Sequence, residues 1–387
     1  MHTVLVGGTL VTPDAVLPDH AIAIADGRIT SLSAALPAAT DETTVIDAQG
    51  GWVIPGLIDI HVHGGDGHDT MDATPSALHG LARFLARHGV TGFLPTTMTA
   101  SADAIQAALT AYQNTPPAPD GAQPLGLHLE GPYLSFEQRG AQPADHLRSP
   151  DPIEYEGWLA SGAVKLITLA PELEGALPMI ERAVACGAEI AVGHTAADYE
   201  QTLAAFERGA RQATHIFSGM PPLSHRQPGV LGACLSDDRL RAQAIVDGVH
   251  IHPAMVKLLV RAKGIERLIL ISDSIRAAGL GDGTYDLGGQ PVVVRDGVTR
   301  RAYDGGLAGS TLTLDAALRN VMAFAGLTLA EALPMATRVP AAALGLAGRK
   351  GVIAPGADAD LVVLDSNYRV RLTLIAGRVV YRTGDYR

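Results

Sequence analysis

His61 and His63, two positions apart, open a series of groups able to ligate a metal: His128 and Glu130, then His194, His215, His250 and Asp273. Imidazole nitrogens together with carboxylate oxygens form the donor set that suits zinc and similar divalent ions. Each of these residues closes a short apolar run that reads as a strand. Side chains alternate along a strand, so residues i and i+2 share a face. His61 and His63 therefore point to one side, as do His128 and Glu130, with His128 one layer deeper and suited to hydrogen bonding rather than ligation. A single histidine carries little weight in a chain with 14 of them, and His2, His20, His79, His88 and His146 read as surface or hydrogen-bonded core residues. Five ligand-type residues at the ends of four strands, with Asp273 at the end of another, predict a divalent-metal centre. Zinc, iron or another divalent ion would suit it, with one or two ions per subunit.

Such a centre needs a frame that brings several strand ends together. From about residue 54 to 345 the chain alternates strand-like runs with helical patterns. LIDIHVH, GFLPTT, LGLHLEG, VKLITLA, EIAVGHT, ATHIFSG, AQAIVDGVH and RLILISDS give eight candidate strands. Between the first two, Leu78, Leu81, Ala82 and Leu85 fall at helical spacing, with Gly89 as a stop. This pattern predicts an α/β fold, a (β/α)8 TIM-like barrel, whose sites lie at the C-terminal ends of the strands, where the ligand residues fall. The competing architecture is an open doubly wound sheet, and no Gly-rich phosphate fingerprint follows the first strand to support it. Some barrel hydrolases bridge two metals through a carboxylated lysine at the end of the fourth strand. The only lysine near that strand, Lys165, stands at its beginning, which leaves Glu130 as the bridging candidate.

The two ends of the chain read differently from its middle. Residues 1–53 and 346–387 are short β-rich runs separated by turn signals, among them Asp26-Gly27, a strong hairpin signal. They predict one small β-sandwich domain assembled from both ends. Residues near 280–305, holding GDGTYDLGG and PVVVRDGVTR, read as a β-hairpin inserted after the eighth strand.

With 29 Lys and Arg against 40 Asp and Glu, the net charge of −11 argues against nucleic acid and anionic membrane partners, which would repel it. A small anionic substrate remains open, because one local arginine can dominate a pocket. No apolar run reaches the length of a spanning helix. The first residues, MHTVLVGGTLVTPD, lack the features of a signal peptide. Cys186 and Cys234 are too few for a disulfide framework and read as small buried hydrophobes, in keeping with a reducing cytoplasm.

Seven segments together carry a resemblance: HVHGG, LHLEGPYL, GHT, THIFSGMPPLSHRQPG, DGVH, SDS and LAGSTLTLD. Over essentially the whole chain they resemble the N-acetylglucosamine-6-phosphate deacetylase family of the amidohydrolase superfamily. The resemblance implies metal-dependent hydrolysis of the acetamide of N-acetyl-D-glucosamine 6-phosphate to D-glucosamine 6-phosphate and acetate. It implies that Glu130, His194 and His215 form the principal metal site, and that His61 and His63 support a second ion, as in some members. Asp273 matches the catalytic carboxylate and also lies among the candidate ligands. Arg226 and His250 match residues that contact the sugar phosphate or hydroxyls, while Ala141, Gln142, Ser218, Gly219, Leu307 and Ala308 match segments at the substrate site. A homodimer is implied as well, with the neighbouring subunit close to the phosphate.

Three departures fall in the segments tied to substrate recognition. Ser218-Gly219 replaces a usual Asn-Ala, Gln142 stands where many members have histidine, and Ser274 replaces a common alanine. They leave the metal ligands intact and bear on which sugar is bound. Other readings are a deacetylase of a related sugar such as N-acetylgalactosamine 6-phosphate, a cyclic amidase, or a non-catalytic scaffold. The last would be expected to lose ligands or Asp273, and the sequence keeps them all.

Overall fold

Leu57–Val62, the first strand of the barrel (β1), is buried at all six residues. Burial on both faces is what a parallel strand covered by helices requires. The computed structural model describes residues 2–34, 43–384 and Tyr386; those parts of the predicted end domain at 1, 35–42, 385 and 387 lie outside the described residues. Around the barrel follow β2 (Val90–Thr97), β3 (Leu127–Glu130), β4 (Val164–Leu169), β5 (Glu189–Val192), β6 (Gln212–Ala213), β7 (Arg241–Ala244) and β8 (Leu268–Leu270). Each pairs in parallel with its neighbour in chain order. The seam between β8 and β1 is joined beyond the last ladder: Asp273 N–H donates to His61 O, and His63 and Gly64 N–H both donate to Ser274 O, each at 2.9 Å. The eight predicted strands are thus present as a (β/α)8 barrel.

Helix Pro75–Arg87, which links β1 to β2, shows how local sequence sets the frame. Thr74 caps it by accepting the Ala77 N–H, proline occupies its first turn, and Gly89 at φ 74° follows its end. Leu78, Leu81, Ala82 and Leu85 are all buried on one side, as their spacing predicts.

Two further sheets are built from the regions near the chain ends, and one of them packs on the barrel core. One runs in the order Arg28–Ser33, Ala21–Ala25, His2–Val6, Thr43–Asp47; the other runs Arg378–Arg382, Val370–Ile375, Leu361–Leu364, Trp52–Pro55, Thr9–Val11, Val16–Leu17. The second draws on both chain ends and separates two cores. Val53, Leu361 and Val363 face the sandwich core with Leu5, Ile22 and Leu374, whereas Ile54, Val362 and Leu364 face the barrel core. That division follows from the two-residue period of a strand. Asp26 and Gly27, both at positive φ (50° and 77°), make the predicted hairpin turn.

At this junction Lys350 is buried and pairs with Asp360 at 2.6 Å and Asp358 at 3.2 Å. Removing one partner of a buried pair leaves an uncompensated charge, which costs about 3–5 kcal/mol. Lys350→Met is expected to lower the unfolding free energy by that amount in a urea titration; a change below about 1 kcal/mol would show that the pair is dispensable.

Three expectations need correction. The insertion after β8 is a three-stranded antiparallel sheet, Gly283–Leu287, Gln290–Arg295 and Val298–Arg301, not a single hairpin. The second turn is Asp296-Gly297, both at positive φ, and it returns the chain once more. Cys234 is buried, and burial pushes its thiol up to about 12, but Cys186 is exposed at a helix end. The strands also stop short of the ligand residues: His194 and His215 come two residues after their ladders end, and Asp273 three. Among the described residues no single helix is long and apolar enough to cross a membrane.

Candidate metal centre

Past the ends of β5, β6 and β8 the backbone turns into the left-handed region at His194 (φ 48°), His215 (φ 25°) and Asp273 (φ 47°). Such conformations cost about 1–3 kcal/mol for a residue with a side chain and collect at functional sites. Here they turn three side chains from a strand's alternation into one shared space. His61 enters that space from β1, His63 from the residue just past it, and Glu130 from the end of β3.

Two triads result, Glu130/His194/His215 and His61/His63/Asp273, all buried. In the first, His215 Nε2 is 3.0 Å from Glu130 Oε1 and 3.1 Å from His194 Nε2, and His194 Nε2 is 3.3 Å from Glu130 Oε1. In the second, His61 Nε2 and His63 Nε2 are 3.3 Å apart and lie 3.4 and 3.3 Å from Asp273 Oδ1. Ligands about 2.0–2.1 Å from a tetrahedral ion lie roughly 3.3–3.4 Å from one another, so both triads have close to the spacing of a divalent-metal site. Glu130 joins them: Oε1 is also 3.4 Å from His61 Nε2, and Oε2 is 3.2 Å from His63 Nε2.

The second nitrogen of each ring decides what the first can do. The Nδ1 atoms of His61, His63, His194 and His215 face Gln243 Oε1 (3.4 Å), Thr96 O (3.2 Å), Gln138 O (2.8 Å) and Ser218 O (3.2 Å). Every one of these is an acceptor, so Nδ1 carries the proton and Nε2 presents a lone pair. Four lone pairs and two carboxylates aimed at common points repel one another unless a cation lies between them. The donor set therefore fits a divalent metal. Without a cation the rings would take up protons instead: burial alone would raise the Glu130 carboxyl, but protonated His61, His194 and His215 around it hold it well below the carboxylate range. For Asp273, burial is likewise outweighed by His61 and His63, and its pKa is lowered.

His128 is kept neutral chiefly by burial, which drives its pKa well down. Its ring nitrogens meet Thr168 Oγ1 at 2.8 Å and Thr96 Oγ1 at 3.3 Å, and its ring packs edge-on to His61. It supports the centre by packing, and among the described residues its ring nitrogens bond to these threonines rather than to a ligand. Lys165 lies at the start of β4 against Gly126, away from the centre.

Above the triads opens a cavity of about 290 Å³ lined by Glu130, His63, His194, His215 and Asp273. The expected substrate-side residues Ala141, Gln142, Ser218, Gly219, His250 and Leu307 also line it. His250 is tied to Asp247 Oδ2 at 2.6 Å; burial would lower its pKa, but that contact outweighs the effect and raises it. Gly219 has φ 61°, and a Cβ there would meet His194 Nδ1 at 2.8 Å, so the close approach of this loop depends on glycine.

Two predicted residues are not brought into the cavity. Ala308 is buried in an apolar cluster with Ile275 and Val292, its neighbour Leu307 taking the lining position. Arg226 is exposed on the loop after β6, outside the cavity, and among the described residues only its backbone N–H has a partner, Ser224 Oγ. Ser274 does not line the cavity either: it is fully buried at the seam, its hydroxyl donating to Gly64 O at 2.8 Å. Met98, Gly140, Leu287 and Gly309 complete the lining, and no sequence pattern points to them. Leu287 belongs to the inserted sheet, whose apolar residues give no sign in the sequence of facing a site.

A parallel barrel whose C-terminal rim holds two carboxylate-linked histidine triads is the architecture of an amidohydrolase. The model of the amidohydrolase family matches residues 52–380. Over 98% of this chain and 99% of the relative, the sequence is 42% identical to an N-acetylgalactosamine-6-phosphate deacetylase of Escherichia coli. It is 38% identical to an N-acetylglucosamine-6-phosphate deacetylase of Bacillus subtilis, over 96% and 95% of the two. Among solved structures, a mutant N-acetyl-D-glucosamine-6-phosphate deacetylase from Mycobacterium smegmatis, in complex with N-acetyl-D-glucosamine-6-phosphate, superposes with a TM-score of 0.90 at 35% identity, covering 98% of this chain and 99% of that one. The chain belongs to the amidohydrolase family and, within it, to the N-acetylglucosamine-6-phosphate deacetylases.

Proposed function

We propose that this chain hydrolyses the acetamide of N-acetyl-D-glucosamine 6-phosphate, releasing acetate and D-glucosamine 6-phosphate. The observation that carries the reading is the Glu130-linked pair of triads beneath a cavity of about 290 Å³ in a chain of this family. Glu130, His194 and His215 would hold one divalent ion and His61, His63 and Asp273 a second, with zinc the ion that best suits these donors. A divalent ion there supplies Lewis acidity toward the amide carbonyl and acidifies water. Asp273, its carboxylate kept ionised, takes a proton from the attacking water as the new C–O bond forms. It delivers a proton to the amide nitrogen as the C–N bond breaks, since an amide anion is too poor a leaving group. His250, with its pKa raised by Asp247, offers a hydrogen bond or positive charge to the sugar or its phosphate.

A second reading, N-acetylgalactosamine 6-phosphate as substrate, is favoured by the Escherichia coli relative at 42% identity. Ser218-Gly219, where the sequence departs from the family pattern, lines the cavity and is where the two sugars would be told apart. Acetate release from both phosphorylated sugars and their unphosphorylated forms distinguishes the two: the higher kcat/KM is expected for the glucosamine derivative, and the reverse order would replace this reading with the second.

Arg226 lies outside the cavity of its own chain, so its match to a phosphate contact is best served across a homodimer interface. One hydrogen bond to a charged group contributes about 1.5–3 kcal/mol. Arg226→Ala should therefore raise KM about 10- to 100-fold for the 6-phosphate and leave the unphosphorylated sugar unchanged. Equal effects on both would refute the phosphate role. We propose a cytoplasmic location, a reading supported by the substrate class and the two free cysteines.

A further inference from the structure

Gln142 stands where a substrate contact was expected, yet both ends of its amide are already engaged. Its Oε1 accepts the Thr99 N–H at 2.7 Å, and its Nε2 donates to Glu130 Oε2 at 2.7 Å. A backbone N–H can only donate, which fixes the oxygen end on Thr99 and the nitrogen end on Glu130. The side chain is 4% exposed, so this arrangement is not loosened by solvent.

The two oxygens of Glu130 have different surroundings. Oε1 faces His215, His194 and His61 at 3.0, 3.3 and 3.4 Å, and Oε2 faces His63 at 3.2 Å. With one oxygen on each side the carboxylate serves both triads; rotated, it would turn both oxygens toward one. The terminal torsion of a glutamate is broad and offers little resistance to that rotation. Among the described residues, the Gln142 amide is the hydrogen-bond donor to Oε2 from outside the triads.

We propose that Gln142 is a positioning residue: a strut anchored on the Thr99 backbone that holds Glu130 in its bridging orientation and so secures the second ion at His61/His63/Asp273. The proposal rests on the two-ion reading above. The loop bearing the strut is itself braced from the inserted sheet, where Arg301 donates to Gly140 O and Gln290 donates to Ala141 O at 3.4 Å. The insertion after β8 thus steadies the loop after β3 across the mouth of the barrel.

The test is zinc titration of the chelator-stripped full chain by calorimetry, with zinc content measured after gel filtration. It compares the wild type with Gln142→Met, similar in length but without a donor, and Gln142→Asn, which keeps an amide one methylene short. Two ions are expected on the wild type. Both variants should bind the first ion unchanged and the second about 10- to 100-fold more weakly, the usual effect of losing an outer partner of a metal ligand. The stripped proteins should still melt cooperatively, lowered only by the few degrees that an unpaired Thr99 N–H costs. A wild type that holds two ions alongside variants that hold both equally well would overturn the strut alone, and a raised KM in those variants would return Gln142 to substrate contact. A wild type that takes up only one ion would overturn the two-ion reading itself.

Discussion

Asp273→Asn should leave a folded protein whose turnover has fallen by about 10²- to 10⁴-fold, the range that a positioned acid–base group contributes. The amide would keep the shape of the side chain but could neither take a proton from water nor give one to the substrate nitrogen. The native carboxylate is held ionised by His61 and His63, so at neutral pH it is ready to accept. Because Asp273 Oδ1 also lies 3.3–3.4 Å from both histidines of its triad, the substitution should weaken the second ion while the Glu130/His194/His215 site stays filled. Parallel measurement of kcat and metal content separates the two effects. Near-normal turnover would remove Asp273 from the reaction.

The second large effect is expected at His215. Its Nε2 lies within 3.0–3.1 Å of both other members of its triad, and its Nδ1 is turned to Ser218 O. Metal sites built from four protein ligands have apparent binding free energies of about 10–16 kcal/mol, so one ligand accounts for roughly 3 kcal/mol, or about 100-fold in affinity. His215→Ala should therefore lose its ion on dialysis, and activity with it, with partial recovery in excess metal. The same change at His128 should weaken the ion far less, because its nitrogens bond to Thr96 and Thr168 and it reaches the centre only by packing on His61. Retention of the ion by His215→Ala would show that the triad is not the binding site.

Much of this is legible in the sequence because strand geometry is regular. The two-residue period places His61 and His63 together and carries Glu130 to the same rim, between the two triads, while Lys165 stands at the far end of its strand. The eight strands and both β-rich ends are readable from the same alternation. What cannot be read lies where the backbone leaves that regularity. In the sequence His194, His215 and Asp273 read as the last residues of strands, whereas positive-φ turns beyond the ladders direct them inward. No local pattern announces such a turn at a histidine. The acceptors that set the ligand tautomers, the Gln138 carbonyl and the Gln243 amide, are 56 and 182 positions away from the rings they orient. Contacts of that range depend on the closed barrel. Gln142 and Ser274 show the same limit: each stands in a segment tied to substrate recognition, and nothing in that segment announces the partner its side chain bonds, Glu130 Oε2 or Gly64 O.

Metal-dependent deacetylation at the Glu130-linked triads is tested most directly by acetate release from N-acetyl-D-glucosamine 6-phosphate. The purified chain would be followed before chelation, after it, and after a divalent ion is restored. The prediction is stoichiometric acetate and free amine from the loaded protein, none above background from the stripped protein, and recovery on adding zinc. Turnover that persists in the stripped protein, or a loaded protein that releases no acetate, would contradict it.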